Sequence, residues 1–246
     1  MSNIVTDKII PDESSADKLT IGGTGDSVVV LDSLNLNQLQ DVGGNSLFVS
    51  NGSGTVTSKN SALSGALNLI STQTASGSAA INFTSNLDST YDIYIFRWVD
   101  VNPVTDATQF GFQASSDGGS SYAMTITTTA FRARNFDDSG SGSADCIYET
   151  EFDRTESTAF IPLNGHLGSD SDECSAGEMH LFAPSSTTYI KNFYSTENHS
   201  SSGTAQSQNY FVGGFINSTS AVNAVTFKMA SGNFDGVIKM YGVSKS

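Results

Sequence analysis

Charge, cysteine and long apolar runs are all scarce in this chain, and each shortage excludes something. Two cysteines, Cys146 and Cys174, in 246 residues cannot make the disulfide framework that small secreted domains rely on. Met1 leads into a polar segment with no basic n-region and no apolar h-region, and no stretch approaches the ~18 apolar residues of a membrane helix. The expectation is a protein made in a cytoplasm, not inserted in a membrane, with both thiols reduced and buried. Only 15% of residues are charged, while Ser, Thr, Gly and Asn fill the gaps between apolar runs. That composition is unusual for a metabolic enzyme. It is common in fibres and adhesins, whose exposed β-surface must stay soluble.

Bases are the scarcer sign, with 11 Lys and Arg against 25 Asp and Glu, for a net charge of −14. Between Asp137 and Glu178 eleven acids (Asp137, Asp138, Asp145, Glu149, Glu151, Asp153, Glu156, Asp170, Asp172, Glu173, Glu178) face Arg154 alone. Acids and bases elsewhere in residues 61–246 cancel, so the excess beyond residue 60 lies in that stretch. A phosphate backbone is the wrong ligand for such a surface, and no nucleic-acid partner is expected.

Catalytic patterns are missing too. His166, His180 and His199 share no metal-ligand spacing with one another or with the cysteines. There is no G-x-S-x-G elbow, and Gly22-Gly23-Thr24-Gly25-Asp26 lacks the lysine of a phosphate loop. Some acid pair must fall at glycosidase spacing by chance, which means nothing without a cleft and a raised pKa. The expectation is no enzyme and no cofactor. Two oxygen-rich loops, Asn135–Gly140 with Asp137 and Asp138 and Gly168–Glu173 with Asp170 and Asp172, are weak candidates for Ca²⁺ or Mg²⁺. In the first, Cys146 stands where a calcium loop needs its bidentate glutamate, so a solvated acidic loop is the plainer reading.

What the chain does have is β-pattern. Tyr91 to Val101 is its densest run of β-branched and aromatic residues. Alternation puts Tyr91, Ile93, Ile95, Val99 and Val101 on one face and Tyr94, Phe96 and Trp98 on the other, so the strand reads as buried on both sides. Phe110 and Phe112 begin the next strand, and Asp117-Gly118-Gly119 turns the chain, which reads as a core hairpin. Twelve strands are predicted: 66–73, 79–83, 91–101, 110–115, 122–128, 146–152, 159–163, 179–183, 188–196, 209–216, 224–229 and 237–243. No apolar stripe of helical period and length appears. The pattern predicts an all-β head over 61–246, a β-sandwich of jelly-roll kind; about 180 residues are enough to bury roughly 70% of the unfolded surface. If strands alternate in direction, the last ends beside the first, and the long connections 129–145, 164–178 and 197–208 gather at the far tip. Candidate binding residues there are Phe136, Asp137, Asp138, Asp170, Asp172, Glu173, Asn198 and His199.

Residues 1–60 differ in kind, with one aromatic, Phe48, and short apolar runs at 19–21, 28–31, 34–39, 47–49 and 55–57 broken by Gly-rich turns. Such strands are too short for one chain to bury, which predicts a β-rich trimeric stalk pooling narrow stripes around a shared axis; the alternative is a disordered arm.

The phrases Tyr91-Asp92-Ile93-Tyr94-Ile95-Phe96, Val101-Asn102-Pro103-Val104-Thr105-Asp106 and Ser115-Ser116-Asp117-Gly118-Gly119-Ser120-Ser121-Tyr122 resemble those of virion structural proteins of tailed phages, fibre-like or appendage proteins of marine and cyanobacterial phages above all. The closing Ser231–Gly242 is similar to their last strand, and Leu47–Thr55 to their thin N-terminal repeats. The resemblance implies a homotrimer in the virion, assembled in the host cytoplasm, anchored to other virion proteins through its N-terminal segment and presenting a C-terminal head. A head that binds host surface polysaccharide is the first expectation. A capsid decoration, or a collar or baseplate adaptor of purely structural role, is the second, and a glycan depolymerase the third.

Overall fold

In the computed structural model the described residues are 38–40, 46–50, 53, 56–59, 66–136, 142, 144–203 and 206–245. Chain contacts divide the protein into two units, Met1–Leu63 and Ser64–Ser246. In the first, β1 (Gln38–Gln40), β2 (Ser46–Ser50) and β3 (Val56–Lys59) pair antiparallel in that order within one chain. The predicted run 47–49 falls on β2 and residues 56 and 57 of the run 55–57 on β3, whereas 19–21, 28–31 and residue 55 lie outside the described residues.

The second unit is all-β, two antiparallel sheets packed face to face. The larger takes β4 (Leu67–Ser78), β6 (Ile93–Pro103), β8 (Ile126–Phe136), β9 (Asp145–Tyr148), β10 (Arg154–Ser157), β12 (Ser175–Phe182), β13 (Lys191–Ser200), β14 (Gln206–Ile216) and β16 (Phe234–Val243). Across it the order is β10-β8-β14-β13-β12-β6-β16-β4, with β9 also lying along β8. The smaller sheet runs β11 (Ile161–Pro162), β7 (Phe110–Ser115), β15 (Ala224–Met229) and β5 (Ile81–Phe83).

Between the sheets lies the aromatic core. Phe83, Phe110, Phe112 and Phe227 of the smaller sheet meet Phe96, Trp98, Phe193 and Phe234 of the larger, with Phe83 on Phe96 at 5.3 Å, Trp98 on Phe110 at 5.5 Å and Phe112 on Phe193 at 4.9 Å between centroids. The residues expected to form a core hairpin are both here but do not pair. β6 belongs to the larger sheet and β7 to the smaller, so the segment through Pro103 arches between layers. The outer face of β6 is only partly buried, with Ile95 covered. Tyr94, Phe96 and Trp98 point inward, while Arg97 and Val99 are exposed. Val101 turns inward because Asp100, at φ 53°, sits in a bulge where both neighbouring strands shift register. On β7, Gln113 is buried as well, and its amide donates to the carbonyls of Met124, Thr158 and Ala159, tying the segment before β11 onto the sheet.

Other boundaries moved for physical reasons. The strand expected at 122–128 begins at Ile126 and runs on to Phe136, because eleven residues of it pair with β14. The strand expected at 146–152 divides into β9, a 3-10 turn at Thr150–Phe152 and β10, all along β8. Because β9 and β10 run the same way, they count as one in the alternation of direction. Val243 therefore pairs with Leu67, and the chain leaves the head where it entered. The connections around 104–109, 163–174 and 201–203 meet at the opposite end, where Leu167 forms bridges to Thr108 and Ser201. Both cysteines are free as expected, but Cys146 is exposed and Cys174 half-buried rather than in the core.

Phe96 and Trp98 are buried against Phe83, Phe110 and Phe227 of the facing sheet. Phe96→Ala or Trp98→Ala is expected to cost about 3–5 kcal/mol in denaturant unfolding. Leu69→Ala, on an exposed outer face, should stay within about 0.5 kcal/mol.

Candidate functional site

β13 explains the end of the head opposite the chain entry. Its alternation turns Lys191, Phe193, Ser195, Glu197 and His199 inward, so the interior passes from aromatic to polar along one strand. Glu197 is buried with its carboxylate fully enclosed. Ser175 Oγ donates to it at 2.6 Å, Asn164 Nδ2 donates at 3.1 Å, and His199 Nδ1 lies 3.1 and 3.3 Å from its two oxygens. Each partner is itself held. Ser175 Oγ accepts from Trp98 Nε1 at 3.1 Å, and Asn164 Oδ1 accepts from the Phe110 amide at 2.8 Å. The His199 ring stacks on Tyr210 at 5.7 Å, and Tyr210 on Phe152 at 5.2 Å. Burial pushes the Tyr210 phenol well above its ordinary range, so that ring stays neutral.

Ser, His and Glu are the residue types of a nucleophile triad, but the arrangement is a different one. Ser175 and His199 both address the same carboxylate, whereas a nucleophile must give its proton to the imidazole. His199 Nε2, which would have to accept it, is buried and has no partner among the described residues. This cluster fixes structure.

What it fixes is the long connection 163–174. Leu163 N donates to Phe110 O, Leu167 exchanges two backbone bonds with Thr108, and Ser202 N donates to His166 O. Asn102 reaches over with its amide to the carbonyls of Asp170 (2.9 Å) and Glu173 (3.3 Å). Glu173 closes the loop on itself, its carboxylate accepting from the Asp170 amide and its own amide donating to the Asp170 carbonyl. Gly168 makes room for that carboxylate, whose place a Cβ there would occupy. His166, Asp170, Ser171 and Asp172 remain exposed on this rigid rim.

Of the residues singled out from sequence, Asp170 and Asp172 lie on that rim and Glu173 is half-buried as the loop's own clasp. Asp137 and Asp138 lie outside the described residues. Phe136 is not in a loop. It ends β8 half-buried, with the Arg134 guanidinium 5.4 Å from its ring. Asn198 and His199, expected in a tip loop at 197–208, belong to β13, since that strand pairs with β14 out to Ser200. His199 is in the interior, and Asn198 lies exposed on the outer face. Among the described residues no three His, Cys, Asp or Glu side chains converge as metal ligands would. Glu197, Ser175 and Asn164 carry the site and were missed. Extending the alternation of the 188–196 strand by one more inward position would have reached Glu197.

The acidic stretch is also less concentrated in space than in sequence. Asp145 forms a two-pronged ion pair with Arg134 at 2.8–3.0 Å, and Glu149 pairs with Arg132. Glu178 lies in mid-sheet on the outer face, bonded to Arg97 at 2.7 Å and to His180 at 2.8 Å. Burial raises the Glu178 carboxyl, but the hydrogen bonds from His180 and Arg97 outweigh it and hold the group below its ordinary range.

Glu197→Ala strands three buried donors and is expected to cost about 3–5 kcal/mol. Amide exchange across 163–174 should then accelerate ahead of global unfolding; an unchanged exchange pattern would show that the carboxylate does not pin the loop. A carboxyl with a depressed folded pKa contributes stability that is complete above the unfolded value near ~4.3 and lost as pH falls through the folded one. Glu178→Gln lacks that contribution at every pH, so its melting temperature should fall less than the wild type's between about pH 5 and pH 3. No protein-family model, no curated protein and no solved structure matches this chain.

Proposed function

We propose that this chain is a non-enzymatic structural protein of a tailed-phage virion. In this reading it is a homotrimeric, fibre-like appendage whose residues 1–60 anchor and associate, and whose jelly-roll-like head turns its loop end to polysaccharide on the host surface. The observation that carries the binding role is the loop 163–174 pinned above a buried carboxylate. A buried charge adds little or no stability over an apolar residue of the same size, so the benefit is the conformation it imposes. A loop fixed in advance loses less entropy when a ligand is bound. Its rim offers what sugar hydroxyls need, the carboxylates of Asp170 and Asp172 and the His166 ring.

The second reading, a capsid decoration or a collar or baseplate adaptor, is favoured by one feature. Phe131, Tyr148 and Leu69 stand exposed on the outer face of the larger sheet, where protein contact would bury them.

A panel of bacterial surface polysaccharides, together with competition against phage adsorption, separates the two. The full chain is expected to bind one glycan class, and Asp170→Ala/Asp172→Ala to weaken that binding about tenfold, equivalent to ~1.4 kcal/mol. Binding to no glycan, with adsorption unaffected, would leave the structural role alone.

A further inference from the structure

The outer face of the larger sheet is a second organised surface. Alternation places Phe131 of β8, Phe211 of β14, Tyr194 of β13 and His180 of β12 on it, and their rings form one row across four adjacent strands. Successive centroids are 5.1, 5.9 and 4.6 Å apart with interplanar angles of 19°, 14° and 13°. Phe211 and Tyr194 each have a ring stacked on either side, so the middle of the row turns ring edges to solvent. A sugar stacks on an open ring face, so the middle of the row is not a sugar platform.

The other half of the same face is aliphatic. Leu67, Leu69 and Val99 lie on β4 and β6, beside a Tyr241 ring covered by the Arg97 guanidinium at 5.7 Å. Leu69 is 56% exposed, and Phe131 at the far side of the ring row is 46% exposed.

Charge points to the occupant. The protein carries −14 overall, yet the outward charged side chains from β4 to β8 are Arg97, Lys239, Glu178, Asp100 and Asp235. Glu178 is neutralised by Arg97, and Asp100 and Asp235 stand at the margin near the loop end. Copies of an acidic chain repel one another over most of their surface, but here the repulsion is nearly absent. A basic partner would find little to attract it. Seven strands from β4 to β8 span about 29 Å at ~4.8 Å per step, and eight paired residues run about 26 Å, giving roughly 750 Å². Each contact between opposite halves takes about half of that, roughly 375 Å² per partner, below the ~800 Å² of a self-sufficient interface, so this face adds to the association proposed for residues 1–60.

We propose that copies of this chain pack against one another through this face, the ring half of one (Phe131, Phe211, Tyr194) on the aliphatic half of the next (Leu67, Leu69, Val99). The inference rests on the homo-oligomeric part of the proposed function and names the surface the head contributes to it.

Cross-linking the full chain tests it. With Cys146→Ser and Cys174→Ser as background, Leu69→Cys and Phe131→Cys are introduced together and singly, and treated with a short bis-maleimide. The two sites lie six strand steps apart, about 29 Å, so the reagent cannot join them within one chain. Both positions are half-exposed, and melting curves confirm that each variant folds. Expected are covalent multi-chain species in the double variant, in several-fold excess over either single one. A chain that sediments as an oligomer but yields no such species overturns the face and leaves the oligomer standing. A full chain that sediments as a monomer overturns both, and the glycan measurement is independent of either.

Discussion

Phe227 stands where the two sheets meet, within 5.4–6.4 Å of five other rings: Phe83, Phe96, Trp98, Phe110 and Phe112. Those rings come from both layers, so one side chain couples the spacing of the sheets to the register of their strands. Interiors are packed like crystals, and a shift on one side must be answered on the other. β15, which carries Phe227, lies between β7 and β5, and β6, which carries Phe96 and Trp98, lies between β12 and β16. With that contact set, the loop end has a rigid base.

Away from this aromatic centre the interior changes character in a directed way. Along β13 the inward positions run Phe193, Ser195, Glu197, His199, and the polar end is where long connections must be held down. Backbone bonds alone leave a loop several conformations. A carboxylate with donors from β12, β13 and the loop itself selects one of them. The head thus holds itself together with rings and shapes its far end with hydrogen bonds. A ligand surface and a core need different things, and one strand supplies both by length.

The outer face shows a third use of alternation. One residue pointing away from the core on each of β8, β14, β13 and β12 is a ring, and the four stack in a row where a solvated sheet would carry charge. The charges that do occur there are spent locally, as in Arg97 with Glu178 and His180. Acids read as one concentrated stretch are likewise distributed among arginines of neighbouring strands, since pairing brings Asp145 to Arg134 and Glu149 near Arg132.

By itself the sequence determined the all-β class, the inward set of Tyr94, Phe96 and Trp98, and the turn at Gly118 and Gly119, both at positive φ. These follow from period-two alternation and glycine geometry, which are local properties of the backbone. The return of the last strand beside the first also followed, because counting directions needs no knowledge of neighbours. Which sheet each strand joins did not follow. β6 and β7 are consecutive and equally apolar, and only the packing of rings across the gap separates them into two layers. The inward turn of Val101 awaited a bulge at Asp100, and the burial of Glu197 and His199 awaited donors from residues 164 and 175, far off in the chain. A polar residue at an inward position reads as a loop until its partners are in place, and those partners are set by tertiary structure alone.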